Sequence, residues 1–481
     1  MNGLPNHFMR LLLLIATLLY SFSVAISGEN VRNSETVVDP ARLLSEYVQI
    51  PSVTGQEKEA GEFFAAFCRA HGLHVQVFTD AEDSYNFAAS LYPLSMGKPN
   101  IVLLNHIDVV PPGEEHGWTY PPFSGTIADG MVWGRGAIDN KAMGVMQVLA
   151  MLPFTARAAE EDLPYNITML AVSGEETGGY TGAAIITEKF LDELNPVVVY
   201  GEGGSGVAGV IQAEPETTIF GVEISQKRVL WIALESSVPA SGHGSIPRKN
   251  YPTKDLIMAT NALLEARPKV TLSPPVRDAL VELGQHERGL RGLVLRRIDF
   301  FGPLFGRTLR QDPLIAAMIT NTISLTGLTS TPGAYNQIPT HARAVFDCRL
   351  LPETDEEKFL THVRRIIGPY EVKLEVIRSS PASPTTPVGP YYKLLESAIL
   401  DVFGDAKVMP MMFVATNDNR FFRRKGIPSY GLLPNIMTEE LLESIHYFDE
   451  RMPIDALYDG IGVYTRLIER LLNPAEETQT N

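Results

Sequence analysis

Three short apolar runs, Asn100 to Val109, Ile167 to Val172 and Pro196 to Tyr200, are bounded by turn residues and separated by stretches of helical length and spacing, Asn140 to Met151 and Gly182 to Leu194. Runs this short suit strands buried on both faces, which occur where helices cover both sides of a sheet. The pattern predicts an α/β sandwich with a mainly parallel central sheet. In that fold class, sites collect at the carboxyl ends of the strands. The residues that close each run therefore come first in the search for chemistry. Two further helices are expected before the first run, over Ala41 to Val48 and Glu57 to His71.

After residue 225 the grammar changes. Strand patterns at Arg228 to Ser236, Thr340 to Leu350 and Glu371 to Ile377 alternate with helical ones at Thr253 to Ala266 and Asp355 to Ile367. This order predicts a small α+β domain over 226–382, inserted into a first domain that occupies 38–225. The first domain resumes over 383–475 with helices at Tyr391 to Phe403 and Leu457 to Leu472. Asp299 to Leu328, inside the insert, is unusually apolar. It is either a helical excursion that covers core or a docking face for an apolar substrate.

Charge narrows the partners. With 40 Lys and Arg against 56 Asp and Glu in 481 residues, the formal net charge is −16. Such a chain repels a phosphate backbone or an anionic membrane surface, so no nucleic-acid partner is expected. Arg10, the apolar run Leu11 to Phe22 and the small residues Ser23 to Gly28 form a secretory signal over 1–27. Export to the periplasm or the medium follows; left uncleaved, the same segment would be a membrane anchor. Only Cys68 and Cys348 are present, too few for a disulfide framework, and buried free thiols are expected. Two cysteines cannot build a four-thiolate zinc site either, so any metal must be held by His, Asp and Glu.

Five motifs carry candidate chemistry. In Asn105-His106-Ile107-Asp108 the period of two puts His106 and Asp108 on one side of a strand end, as a metal ligand and a carboxylate on its far nitrogen, or as a plain polar pair. Gly134-Arg135-Gly136-Ala137-Ile138-Asp139-Asn140-Lys141 is a glycine-punctuated turn into a helix. Asp139 there is either the helix N-cap or a carboxylate bridging two metal ions. Ser173-Gly174-Glu175-Glu176-Thr177-Gly178-Gly179 closes another apolar run. Adjacent carboxylates in a turn point different ways, which makes Glu175 a general base and Glu176 a ligand, unless the pair is merely a solvated acidic turn. Glu202, in Gly201-Glu202-Gly203-Gly204, ends a third run and is assigned to a second metal. His446, in Ile445-His446-Tyr447, completes the set from far down the chain. No Gly-x-Ser-x-Gly elbow stands before a helix, and no Lys-Ser or Lys-Thr follows the glycines after Glu202, so serine-hydrolase and phosphate-loop chemistry are set aside.

Taken in order, these motifs resemble the dinuclear zinc exopeptidases related to aminoacylase, acetylornithine deacetylase, succinyl-diaminopimelate desuccinylase and glutamate carboxypeptidase, from about residue 40 to 475. The resemblance implies two Zn2+ per chain, with Co2+ or Mn2+ also suited to so carboxylate-rich a site. His106 would bind one ion and His446 the other, Asp139 would bridge, and Glu176 and Glu202 would serve one ion each. Glu175 would be the base and Asp108 would orient His106. The Asp139-Asn140 peptide would be cis. The insert would be a lid and dimerisation domain, making the chain a homodimer. In it, His243 of Gly242-His243-Gly244 would stabilise the oxyanion, and Asn336 and Arg349 would hold the carboxylate of a small substrate, a peptide or an N-acyl amino acid. Two positions depart from the family pattern: Gly201 stands where many relatives have Asp, and Gly244 where Ser is frequent. Neither removes a proposed ligand, so a hydrolase is expected rather than an inactive carboxylate-binding relic. The Gly-Glu-Gly-Gly-Ser run, the export signal and the apolar stretch of the insert are most similar to carboxypeptidase S and the N-fatty-acyl-amino-acid synthase/hydrolases.

Overall fold

The computed structural model describes residues 38–473 apart from 82, 241 and 302–312. The expected signal segment and part of the apolar stretch from Asp299 lie outside those residues. Along the chain, β1 (His74–Ala81), β2 (Ser84–Ser90) and β3 (Asn100–His106) precede a short hairpin of β4 (Thr126–Ala128) and β5 (Met131–Trp133). Then come β6 (Asn166–Val172), β7 (Pro196–Val207), β8 (Ile219–Gln226), β9 (Arg228–Ser237), β10 (Thr322–Ser330), β11 (His341–Leu350) and β12 (Lys373–Ser379). Last are β13 (Lys407–Phe413), β14 (Ser429–Ile436) and β15 (Arg451–Pro453).

Eight strands form the main sheet in the order β1-β2-β6-β3-β7-β14-β8-β13. Neighbours β6, β3, β7 and β14 run parallel, as do β8 and β13, while β1 and β2 form an antiparallel edge. Every residue of β3 and β6 is buried, as their unbroken apolar patterns require. On one face lie the helices Pro40–Val48, Lys58–Ala70, Lys141–Met151 and Ile454–Leu472; on the other, Ala183–Lys189, Leu191–Leu194 and Asn419–Arg424. Lys141–Met151 is buried all round, so although Lys141–Glu160 is apolar enough to cross a membrane, its helical start is a core element. The second sheet is antiparallel, β10-β11-β9-β12, and its inner face packs on the helices Pro252–Leu264 and Glu356–Ile367. In β11 burial alternates strictly, which sends Ala342, Ala344, Phe346, Cys348 and Leu350 inward and leaves Asp347 and Arg349 together on the other face.

Several elements differ from the sequence reading, and of the two readings of Asp139 the helix cap is not met. Gly182 to Leu194 is two short helices, because the chain breaks at Phe190. The apolar stretch is not wholly a helical excursion: after a helix at Pro313–Ile319, residues 322–330 become β10, an edge strand whose Ile323 and three threonines have β preference. Helices Pro274–His286 and Gly289–Arg296, which lie within 226–382, pack near β13 of the main sheet rather than on the second sheet's core. Asp139 is not a helix cap; Asn140 occupies that position and its side chain makes no capping bond. Both cysteines are free and buried.

Candidate active site

At the carboxyl ends of β3 and β6 and midway along β7, five of the sequence candidates converge with a sixth from beyond β14. His106 is the last residue of β3. Its Nδ1 lies 2.8 Å from the main-chain oxygen of Asp108, an acceptor only, so this nitrogen carries the hydrogen in the neutral ring. Nε2 then points its lone pair at Asp139 Oδ1, 2.9 Å away, and at Glu202 Oε2, 3.2 Å away. His446 mirrors this arrangement, with Nε2 3.1 Å from Asp139 Oδ2 and 3.2 Å from Glu176 Oε2. The two oxygens of Asp139 thus face one imidazole each. His106, Asp139 and Glu176, and likewise His106, Glu175 and Glu202, bring their ligating atoms within 4.8 Å of one another. The Asp139-Asn140 peptide is cis, and His446 sits in the left-handed region at φ 61°, which few non-glycine residues adopt.

The supporting shell explains why these side chains stay put. The Asp108 carboxylate accepts from the backbone N–H of Glu175 and of Glu176, at 3.0 and 3.1 Å, and from Thr54 at 2.8 Å. Its nearer oxygen is 3.5 Å from His106 Nδ1. The main-chain oxygen thus makes the shorter contact to the ring, while the carboxylate stands beside the same nitrogen and also shapes the Glu175-Glu176 turn. Glu450 was not assigned a role from sequence. It accepts from the N–H of Ile138 and Asp139 and pairs with buried Arg135 at 2.6 Å, which joins the glycine-punctuated turn to the loop of His446. Asn140 donates to Glu202 at 2.9 Å. Gly136, at φ +84°, is required because a Cβ there would stand 2.5 Å from Val109.

Electrostatically the cluster is short of positive charge. Burial pushes the Glu175 carboxyl well above its usual range, with Glu202 and Asp418 adding repulsion, and raises Glu202 and, to about 7, Glu176. Burial alone would also raise Asp139, but hydrogen bonds from His106 and His446 outweigh it and hold that carboxyl well below the usual range. The bonds to Asp139 and Glu176 lift His446 to about 10. Burial opposes a charge on His106, yet the oxygens of Asp108, Asp139 and Glu202 hold its pKa well above normal. The rings thus take up protons between the carboxylates; with both rings neutral, acceptor atoms would face acceptor atoms, an arrangement that calls for cations between them. Glu176 Oε1, buried without a partner, is a further free ligand atom.

These residues line a cavity of about 320 Å³ whose opposite wall comes from the second sheet. Arg349 reaches it. Its Nε and Nη2 edge is satisfied by Asp347, at 2.9 and 3.0 Å, which leaves Nη1, beside Thr416, turned to the cavity. His243 and Asn336 do not reach it. They pair with each other at 3.0 Å on an exposed loop joined by a bridge between His243 and Gln337. Gly201 also has a physical explanation: a Cβ there would lie 2.2 Å from Asn419 Oδ1, so the Asn419 carboxamide fills the space of the missing side chain.

A mainly parallel sheet with carboxylates and imidazoles at its strand ends, facing a second antiparallel sheet, defines a metallohydrolase of the exopeptidase type. The model of "Peptidase family M20/M25/M40" matches residues 102–470, and the chain belongs to that family of metallopeptidases and amidohydrolases. It is 29% identical over 380 residues to the probable carboxypeptidase S-like 2 of Dictyostelium discoideum, covering 77% of this chain and 71% of that one. It is 27% identical to the N-fatty-acyl-amino acid synthase/hydrolase of Xenopus tropicalis over 95% of this chain and 93% of the relative. Among solved structures, the metallo-carboxypeptidase Sso-CP2 of Sulfolobus solfataricus superposes with a TM-score of 0.68 at 18% identity, over 91% of this chain and 99% of that one.

Proposed function

We propose that the chain hydrolyses an amide or peptide bond next to a free carboxylate, with two divalent ions, zinc first among them, and Glu175 as general base. The observation that carries this is Asp139, whose two oxygens each face a different imidazole while Glu202 and Glu176 stand one beside each ring. The donor set of nitrogen and carboxylate oxygen, with no thiolate, suits zinc, cobalt or manganese. When bound, two such ions would lower the pKa of a shared water and polarise the scissile carbonyl. His106, Asp139 and Glu202 would hold one ion, and His446, Asp139 and Glu176 the other. Glu175 takes the proton from the attacking water and delivers it to the leaving nitrogen. Its burial keeps it basic enough for that exchange. Asp108 sets the geometry of the base by holding the N–H groups of its turn.

In this reading residues 38–225 and 383–475 are the catalytic part and 226–382 the lid. Arg349 offers its remaining N–H groups to the substrate carboxylate. His243 and Asn336 would join the site when the lid closes or from a second copy of the chain, with His243 donating to the oxyanion. Dimerisation through β10 is proposed on its outer edge, which no other strand pairs among the described residues and whose nine residues include no charge or proline. Export follows the signal-like N-terminus.

The test is hydrolysis of a matched panel, dipeptides with free C-termini, N-acetyl amino acids and N-oleoyl amino acids, by wild type and Glu175→Gln, with and without chelator. Wild type should cleave at least one series in a chelator-sensitive manner. The variant should keep both ions and lose about 10²–10⁴-fold in turnover. Preference for the oleoyl series would place the chain with the fatty-acyl relatives, and preference for dipeptides with the carboxypeptidases. No cleavage with both ions bound would turn the assignment towards a carboxylate-binding protein.

A further inference from the structure

The turn that carries Glu175 and Glu176 is suspended by charged side chains on both of its hydrogen-bonding sides. Its N–H groups rest on Asp108. Its carbonyls are gripped by two guanidiniums: Arg420 donates to Gly178 O at 2.7 Å, and Arg378 donates to Thr177 O through both Nη1 and Nη2 at 3.0 Å. Asp108 and Arg420 lie in the same layered body as the turn. Arg378 does not; it stands near the end of β12, in the second sheet.

Three independent features fit Arg378 to this place. The register of β12 against β9 slips between Val376 and Arg378, so Ile377 is an extra residue that sets Arg378 opposite Trp231. Bulges of this kind re-aim a side chain, and both Arg378 and Trp231 line the catalytic cavity. The guanidinium lies 4.9 Å from the ring centroid of Tyr180, on the catalytic side, and 5.1 Å from that of Trp231, on the other sheet. A planar cation between two rings holds its orientation better than a flexible ammonium would. Finally, a Cβ at position 178 would stand 2.1 Å from Arg378 Nη2, so the glycine leaves the space that the guanidinium occupies.

We propose that Arg378 is a positioning residue that ties the Glu175-Glu176 turn to the second sheet, so that the base is correctly aimed only when that sheet is seated against the catalytic body. This rests on the assignment of Glu175 as base and Glu176 as ligand. Arg378 acts through the turn and touches no reacting atom.

Removing it should therefore lower kcat and leave KM nearly unchanged. Misplacement of a catalytic group by about 1 Å costs on the order of 10²-fold in rate. In zinc-saturated enzyme, with metal content checked, Arg378→Ala should lose kcat on that scale with KM within about threefold, and added methylguanidinium should restore part of the loss. Arg378→Lys, which keeps the charge without the planar fork, should fall between the two. A rise in KM at unchanged kcat would overturn the proposal and make Arg378 a substrate contact, and unchanged kcat and KM would overturn it outright. Loss of rate with no rescue by methylguanidinium and no difference between Ala and Lys would also overturn it, as a general packing defect. If Arg378→Ala does not fold, Arg378→Gln and Arg378→Lys, whose stems still fill the slot between the rings, carry the same comparison. Glu175→Gln measured alongside separates the two ideas: full activity there removes the base assignment, whereas an inactive Glu175→Gln beside a normal Arg378→Ala removes only the role of Arg378.

Discussion

Lys227 is the single residue between β8 of the main sheet and β9 of the second. Although cationic by type, it is buried, and its Nζ donates to Ala317 O, Thr320 O and Thr322 Oγ1 at 3.0–3.1 Å. It thus fastens one crossing between the sheets to the end of the helix Pro313–Ile319. Burial, then the nearby charge of Arg349, pull its pKa down to about 7, against Asp347. Between that value and the ordinary 10.5 the unfolded chain binds a proton that the folded chain does not, so this residue adds stability as pH rises through the window. Below pH 7 both states hold the proton and the cost of burying the cation is complete. Lys227→Met should lose on the order of 1–3 kcal/mol by denaturant titration, because it strands buried acceptors, with the deficit growing from pH 7 towards pH 10. Residues at such a crossing, Lys227 among them, escape a reading of sequence because a lysine between two apolar runs looks like a surface turn. The candidate site residues are legible for the opposite reason: His106, Glu175 and Glu202 each stand at or just past the end of an apolar run, and polar groups delivered by a buried strand need a purpose. Glu450 and Arg378 had no such marker. What makes them matter is a partner more than 200 residues away, and spacing along the chain carries no trace of that.

Among the elements, β10 shows how pattern and fold diverge. Its residues, Thr-Ile-Ser-Leu-Thr-Gly-Leu-Thr-Ser, follow an apolar helix without a strong turn signal, so sequence alone does not separate them from a helical excursion or a docking face. The antiparallel pairing with β11 decides otherwise, and the alternation of β11 was plain in the sequence because one of its faces packs on two helices. In the main sheet β1, β2, β8, β13 and β14 are not predicted from sequence; Pro410 in β13 and Gly431 and Pro434 in β14 interrupt the strand grammar of those two, which neighbouring strands make extended. If β10 is the dimer edge, Leu328→Lys, at a residue 56% exposed, should convert dimer to monomer in sedimentation or light scattering with little loss of thermal stability. A wild-type chain that sediments as a monomer at micromolar concentration would end that proposal.

At the scale of the whole molecule, charge and topology meet at the site. A chain of net charge −16 that buries Asp108 and Asp418 and half-buries Asp139, Glu175, Glu176 and Glu202 near one another carries a local repulsion that bound cations would relieve. Metal should therefore stabilise the fold as well as activate it, by ~2.7 kcal/mol at a free concentration a hundredfold above Kd. Calorimetry with zinc and then with chelator should show Tm falling on chelation and recovering on reloading; a Tm indifferent to metal would refute the link. The order of the main sheet has a consequence of its own. β14, drawn from residues 429–436, is seated between β7 and β8, and the imidazole of His446 follows it. A ribosome that has already made β7 and β8 has made two strands whose shared neighbour is still some 200 residues from being synthesised. β7 and β8 meet directly only where Gly206 and Val207 pair with Phe220 and Ile219, so until β14 arrives the rest of their facing edges is unpaired, and a chain terminated before residue 429 should be an adhesive product rather than a weaker enzyme.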